Sequence, residues 1–109
     1  MIIDFEKMEE TRIPNFKGGQ KDTIAKLRTD ELGKIMYGRL EPGASIGLHT
    51  HETSSETIYI LSGKADFLYD GGTEETAAGE CHYCPKGHSH SMINNGEEDL
   101  VFFAVVPEQ

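Results

Sequence analysis

Two histidines and a glutamate stand close together in the stretch from Gly43 to Gly63. His49 and His51 are separated by one residue, and Glu56 follows shortly before an apolar, β-branched run. Side chains alternate between the two faces of an extended strand, so His49 and His51 are expected to project from the same face. Two imidazoles and a carboxylate are nitrogen and oxygen donors suited to a divalent transition metal. This stretch therefore predicts part of a metal site.

A second stretch, from Gly79 to Asn94, carries further histidines. Pro85 and Gly87 predict a rigid turn, and His90 follows this turn. His82 lies on the strand before the turn, and the sequence leaves open whether it faces the inside or the solvent.

The elements that position these residues read as short strands separated by glycine-containing turns. Asp22–Leu32 fits either a helix or a strand, and the flanking glycines favour a strand. Many short strands at regular spacing indicate an antiparallel sandwich or barrel. The expected strands are Ile2–Phe5, Asp22–Leu32, Lys34–Leu40, Lys64–Tyr69, Thr73–Ala78, Glu80–Cys84, Ser89–Ile93 and Leu100–Val106.

Composition excludes several classes of partner. The chain has 109 residues, which predicts one domain, and its net charge is −9. Nucleic acids and anionic membrane surfaces are both bound through lysine and arginine side chains, so neither partner is expected for an acidic chain. No apolar run approaches membrane-spanning length, and the acidic N-terminal segment does not resemble a secretion signal. We therefore expect a cytoplasmic protein.

Cys81 and Cys84 form a C-x-x-C pattern, which is known from redox pairs and from zinc sites. Both residues fall in a predicted strand, where positions three apart face opposite sides and a disulfide would be strained. No second C-x-x-C exists. We expect two reduced cysteines, at least one of them a small apolar residue of the core.

The two stretches together resemble the signature motifs of the cupin superfamily. The first is G-x5-H-x-H-x4-E-x6-G, and the second is G-x5-P-x-G-x2-H-x3-N, with every signature position filled. Fifteen residues separate the motifs, as in small single-domain cupins, and the motifs with this spacer cover about half of the chain. The resemblance implies an all-β antiparallel β-barrel, also called a jelly roll or double-stranded β-helix. It implies a single domain over residues 1–109, with its core at about residues 20–106, and a homodimer.

The resemblance also implies the metal ligands, which are His49, His51, Glu56 and His90. Three imidazoles and one carboxylate leave positions open on a metal that prefers five or six ligands, which is typical of a catalytic rather than a structural site. Fe, Mn, Ni, Co, Cu and Zn all tolerate this donor set.

Two functions follow as hypotheses. The first is a small metal-dependent enzyme of the dioxygenase, isomerase, decarboxylase or lyase type, acting on a small oxygenated metabolite. His88 is its candidate catalytic residue, as a base that moves protons near the metal, although a surface position is the simpler interpretation of this histidine. The alternative is a non-enzymatic binder or sensor of a small ligand in the same pocket. A small-molecule ligand or substrate is expected in both cases.

Overall fold

The computed structural model describes residues Met1–Gln109. It contains ten strands and two 3₁₀ helices of three residues each, Phe5–Lys7 and Phe16–Gly18. No helix has the length and the apolar character needed to cross a membrane. The strands are β1 (Thr11–Pro14), β2 (Asp22–Asp30), β3 (Gly33–Leu40), β4 (Ser45–Thr50), β5 (Glu56–Ser62), β6 (Lys64–Tyr69), β7 (Gly72–Ala77), β8 (Cys81–Cys84), β9 (Ser89–Ile93) and β10 (Leu100–Pro107).

The strands form two sheets. One sheet has six strands in the order β1-β2-β3-β10-β5-β8, and the other has four strands in the order β4-β9-β6-β7. Every pair of neighbouring strands is antiparallel. This arrangement confirms the expected all-β jelly-roll fold.

The core lies between the sheets because each strand presents alternate residues to it. In β10, Leu100, Phe102 and Ala104 are fully buried, whereas the residues between them face outwards. Gly38 lies directly opposite Phe102 in the register, and a Cβ atom at this glycine would lie 2.6 Å from Cζ of the ring. The phenyl ring therefore occupies the space that a side chain at position 38 would fill.

The start of the chain differs from the prediction. The expected strand Ile2–Phe5 is wrong: Ile2 is exposed, and a 3₁₀ helix begins at Phe5, with the Asp4 carboxylate accepting a hydrogen bond from the Glu6 N–H. The edge of the sheet is occupied instead by β1, which pairs with β2. The ambiguous segment Asp22–Leu32 contains a strand, β2, as the flanking glycines indicated.

Both cysteines are free thiols on β8. Cys81 is exposed and Cys84 is buried, since positions three apart face opposite sides of the strand. Burial raises the pKa of the Cys84 thiol to about 11, which keeps this thiol protonated and unreactive.

Candidate metal centre

A bulge in β4 sets the direction of the first histidine. The pairing of β4 with β9 shifts between Ile46 and His49, so that two residues of β4 stand opposite one residue of β9. As a result Ile46 and His49 both face the interior, although they are three positions apart. The hydroxyl of Ser91 donates a hydrogen bond to the Ile46 carbonyl at 2.8 Å and holds the bulge from the neighbouring strand.

The four predicted ligands converge on one point between the sheets. His49 and His90 are directly opposite each other on β4 and β9, His51 follows the end of β4, and Glu56 begins β5. Their donor atoms all lie within 4.8 Å of one another, and such a group could hold a metal ion. Nε2 of His51 lies 3.2 Å from Nε2 of His49 and 2.9 Å from Nε2 of His90. The Glu56 Oε1 lies 3.1 Å from Nε2 of His51 and 2.9 Å from Nε2 of His90.

The opposite nitrogen of each imidazole has its own partner. Nδ1 of His49 lies 2.7 Å from the Gly47 carbonyl oxygen, and Nδ1 of His51 lies 2.8 Å from the Ser54 hydroxyl. Nδ1 of His90 lies 3.0 Å from Nε2 of His82. Hydrogen bonds of this kind fix the orientation of metal-binding histidines and select which nitrogen carries the proton.

These partners test whether the residues fit a metal. A carbonyl oxygen only accepts, so the neutral His49 ring carries its proton on Nδ1 and presents a lone pair at Nε2. Nδ1 of His82 lies 2.5 Å from the Glu74 carboxylate, which also accepts, so a neutral His82 accepts at Nε2 from His90. His90 then presents a lone pair at its own Nε2. Lone pairs aimed at one another beside a carboxylate repel, and a cation among them removes the repulsion, so the donor set fits a metal.

The charge state of the cluster also suits a cation. Burial opposes ionisation of Glu56, but hydrogen bonds and positive charge from the His51 and His90 rings, when their Nε2 atoms carry a proton, lower its pKa to about 2. Burial lowers the pKa of His49 below its usual 6.5. An ionised Glu56 carboxylate and a neutral His49 ring are the protonation states that metal binding requires of these two residues.

A cavity of about 550 Å³ opens onto this cluster. His49, His51 and Glu56 form part of its wall, together with several apolar residues. This is the size range of small-molecule sites in proteins. The apolar part of the wall consists of Ile13, Phe16, Leu27, Met36, Ile46 and Val106.

The other predicted histidines lie in different places. His82, whose orientation the sequence left open, is buried against His90. His88 is about half exposed and is not part of the cavity wall, and its Nδ1 faces the carboxylate of Asp70 and the hydroxyl of Tyr69. The structure thus does not bring His88 together with the four ligands, and its catalytic role stays a prediction.

Sequence reasoning missed Lys34, which lies in the wall of the cavity. A signal was available, because Lys34 stands two residues before Met36 and so continues the inward-facing series of Met36, Gly38 and Leu40 on β3. Glu74 was also missed, since its contact with His82 depends on how β7 lies relative to β8.

Comparisons with known proteins agree with this geometry. A family model described as a cupin domain matches residues 36–106. The chain belongs to the cupin family. This cupin is 34% identical to an oxalate-binding protein of Thermotoga maritima over 97% of the chain and 93% of that protein.

Two further relatives extend the comparison. The cupin superimposes on the crystal structure of a predicted oxalate decarboxylase from Thermotoga maritima with a TM-score of 0.93, at 30% identity and with 100% of each chain covered. It is also 39% identical to an oxalate decarboxylase of Bacillus subtilis over 80% of the chain, which spans only 25% of that larger protein.

Proposed function

We propose that this cupin binds oxalate at a divalent transition metal held by His49, His51, Glu56 and His90. The observation that carries the proposal is the convergence of these four donors, three of which line a solvent-connected cavity. Oxalate is the candidate ligand because a relative that matches almost the whole chain is named an oxalate-binding protein. Two carboxylates joined directly to each other also suit two neighbouring open positions on a metal.

The chain's own residues prepare the site for such a ligand. When bound, the metal supplies a Lewis acid with positions left over for the oxygen atoms of a ligand. Gly47, Ser54 and His82 hold the three imidazoles in orientation through their Nδ1 atoms. The apolar residues in the cavity wall would lower the polarity of the surroundings of a bound ion, which would strengthen electrostatic interactions with an anionic ligand.

Calorimetry tests the proposal directly. The protein is purified without chelators, its metal is identified by elemental analysis, and oxalate is titrated into the metal-loaded protein and into the metal-free protein. We expect binding to the metal-loaded form alone, and loss of both metal and oxalate binding in His51→Ala. Absence of metal after purification and after loading, or equal oxalate binding with and without metal, would contradict the proposal.

A second candidate function is the decarboxylation of oxalate to formate and carbon dioxide. In this reaction the C–C bond of the oxalate dianion breaks, carbon dioxide leaves, and the carbon that keeps the bonding electrons takes up a proton to become formate, so a group in the cavity must supply that proton. Glu52 lines the cavity, and its carboxylate makes no hydrogen bond or ion pair within the protein. Formate production that is lost in Glu52→Gln, while oxalate binding remains, favours the enzyme. Oxalate binding with no formate from the wild type favours the binding protein.

We also propose a homodimer formed through the outer face of the six-stranded sheet. Tyr37, Phe103 and Tyr59 lie side by side in register across β3, β10 and β5, and both tyrosines are partly exposed. Light scattering of the wild type and of Tyr59→Glu measures this association, and the variant is expected to be monomeric. The cytoplasmic location expected from the sequence stays a prediction.

A further inference from the structure

Lys34 is a cation on the inner face of a strand. It is half-buried on β3, where its register partners are Val106 on β10 and Thr29 on β2. Its Nζ lies 5.5 Å from the centroid of the Phe16 ring. No carboxylate oxygen lies within 4.0 Å of this ammonium, so Lys34 forms no ion pair within the protein. A partly buried cation without a paired anion is costly to the fold, which points to a role in binding.

Lys34 shares its cavity with the candidate metal centre. Burial lowers the pKa of Lys34, whereas the negative charge of Glu56 raises it. A second lysine, Lys17, also lines the cavity, but its side chain is exposed. Lys34 is thus the more enclosed of the two cations and the better placed to meet a ligand inside the cavity.

The acidic residues of the cavity other than Glu56 face the solvent. Asp30, Glu52 and Glu108 are all exposed. Asp30 accepts a hydrogen bond from the Leu32 N–H, and Glu108 accepts one from the Thr53 hydroxyl. Water screens these exposed carboxylates more strongly than it screens Lys34 and Glu56.

The charges around the inner cavity match a doubly charged ligand. A divalent metal together with the ionised Glu56 carries one net positive charge, and Lys34 adds another. A dicarboxylate that chelates a metal with one oxygen of each carboxylate turns its other two oxygens away from the ion. An ammonium that meets these outer oxygens forms charge-assisted hydrogen bonds, which are stronger than neutral ones.

We propose that Lys34 binds the outer carboxylate oxygens of a dicarboxylate held at the metal, and that it makes the cavity selective for dianions over monoanions. This inference rests on the proposed function and names the residue and the charge that determine its ligand. A monocarboxylate such as formate brings a single charge and has no second carboxylate for Lys34 to meet. Removal of the ammonium is therefore expected to reduce the affinity for dicarboxylates more than the affinity for monocarboxylates.

The experiment compares oxalate with formate by calorimetry on the Mn(II)-loaded protein. Lys34→Met is expected to weaken oxalate binding by about 10–100-fold, the usual effect of losing a hydrogen bond to a charged group, and to affect formate much less. Lys34→Gln provides a second neutral variant in case methionine at this position disturbs folding. Lys17→Met is the matched control, because it removes an exposed lysine from the same cavity beside the same phenyl ring. Metal content and thermal unfolding are measured for each variant.

The outcomes separate this inference from the proposed function. A wild type that binds no oxalate contradicts the proposed function, and the inference fails with it. A wild type that binds oxalate, with folded and Mn(II)-loaded Lys34 variants that bind it equally well, overturns the inference alone. An equal loss of oxalate and formate affinity overturns the selectivity for dianions. A larger loss for oxalate than for formate, absent in Lys17→Met, supports the role of Lys34.

Discussion

The ring of Phe67 lies almost parallel to the ring of His82, with 3.8 Å between the two centroids and 13° between the planes. Phe67 is fully buried on β6 and His82 is buried on β8, so this stack joins the two sheets. The same imidazole contacts Glu74 through Nδ1 and His90 through Nε2. The plane of His82 is therefore held by packing, and its two nitrogens link an exposed carboxylate to a candidate metal ligand.

Replacement of His82 by phenylalanine is expected to weaken metal binding while the fold is retained. The new ring keeps the stack on Phe67 but cannot accept a hydrogen bond from His90, and loss of such an orienting partner typically reduces metal affinity by about 10–100-fold. Competition with a chromogenic chelator measures the affinity. Tyr83→Phe is the control, because the neighbouring Tyr83 faces solvent. Equal affinities of the two variants would show that His82 does not orient His90.

His90→Ala is expected to abolish stable metal binding, because it removes one of four donors from the cluster. The nearby His88→Ala is the matched control, since His88 lies outside the cavity wall. Elemental analysis after loading and dialysis gives the metal content of both variants. Retention of metal by His90→Ala would contradict the four-ligand site. Turnover assays of His88→Ala, should the wild type be active, test the catalytic role predicted for that residue.

The metal-free protein is expected to lose stability as the pH falls below 6.5. Burial lowers the pKa of both His49 and His82 below the usual 6.5, so the unfolded chain takes up protons near this pH that the folded chain does not. The free energy of unfolding then falls by at most about 1.4 kcal/mol per pH unit for each histidine until its folded-state pKa is reached. Urea denaturation between about pH 7.5 and pH 5.5 with a chelator present measures this slope.

His82→Phe provides the control for that slope. The variant lacks one of the two histidines, so its stability is expected to depend less steeply on pH than that of the wild type. Identical slopes for the two proteins would contradict the assignment to His82. A stability that rises on acidification would contradict the direction of both shifts.

Gly47→Ala is expected to lower stability by about 1–3 kcal/mol and to weaken metal binding as well. A Cβ at this position would lie 2.0 Å from the Lys17 carbonyl oxygen, so β4 or the neighbouring 3₁₀ helix must move. The Gly47 carbonyl also holds His49, and a shift of β4 misplaces that ligand. Gly72→Ala is the control, because its Cβ would meet only the Tyr69 carbonyl oxygen at 3.6 Å. Thermal unfolding and chelator competition on both variants measure the two effects.

The sequence predicted the four candidate ligands because strand alternation aligns His49 with His51, and the cupin motif adds Glu56 and His90. The sequence could not predict which way His82 faces. Alternation defines the two faces of a strand, but the packing of one sheet on the other decides which face is buried. Lys34 was missed for a related reason. A lysine usually indicates a position that faces solvent. Only its spacing from the inward-facing Met36 on the same strand shows that this lysine faces inwards.

The error at Ile2–Phe5 has a different origin. Two adjacent isoleucines suggested a strand, but a strand needs a partner, and the exposed edge of β2 pairs with Thr11–Pro14 instead. The residues of β1 include a proline and show little apolar alternation, so tertiary pairing rather than local propensity defines this strand.

β10 is the last strand to be synthesised, but it lies in the middle of the six-stranded sheet. β10 pairs with β3 on one side and with β5 on the other, although it follows both of them along the chain. While Leu100–Pro107 is still inside the ribosome, the β1-β2-β3 group and the β5-β8 group have no strand between them. The six-stranded sheet therefore closes only after the tenth strand has emerged, and a nascent chain exposes two unpaired edges until then.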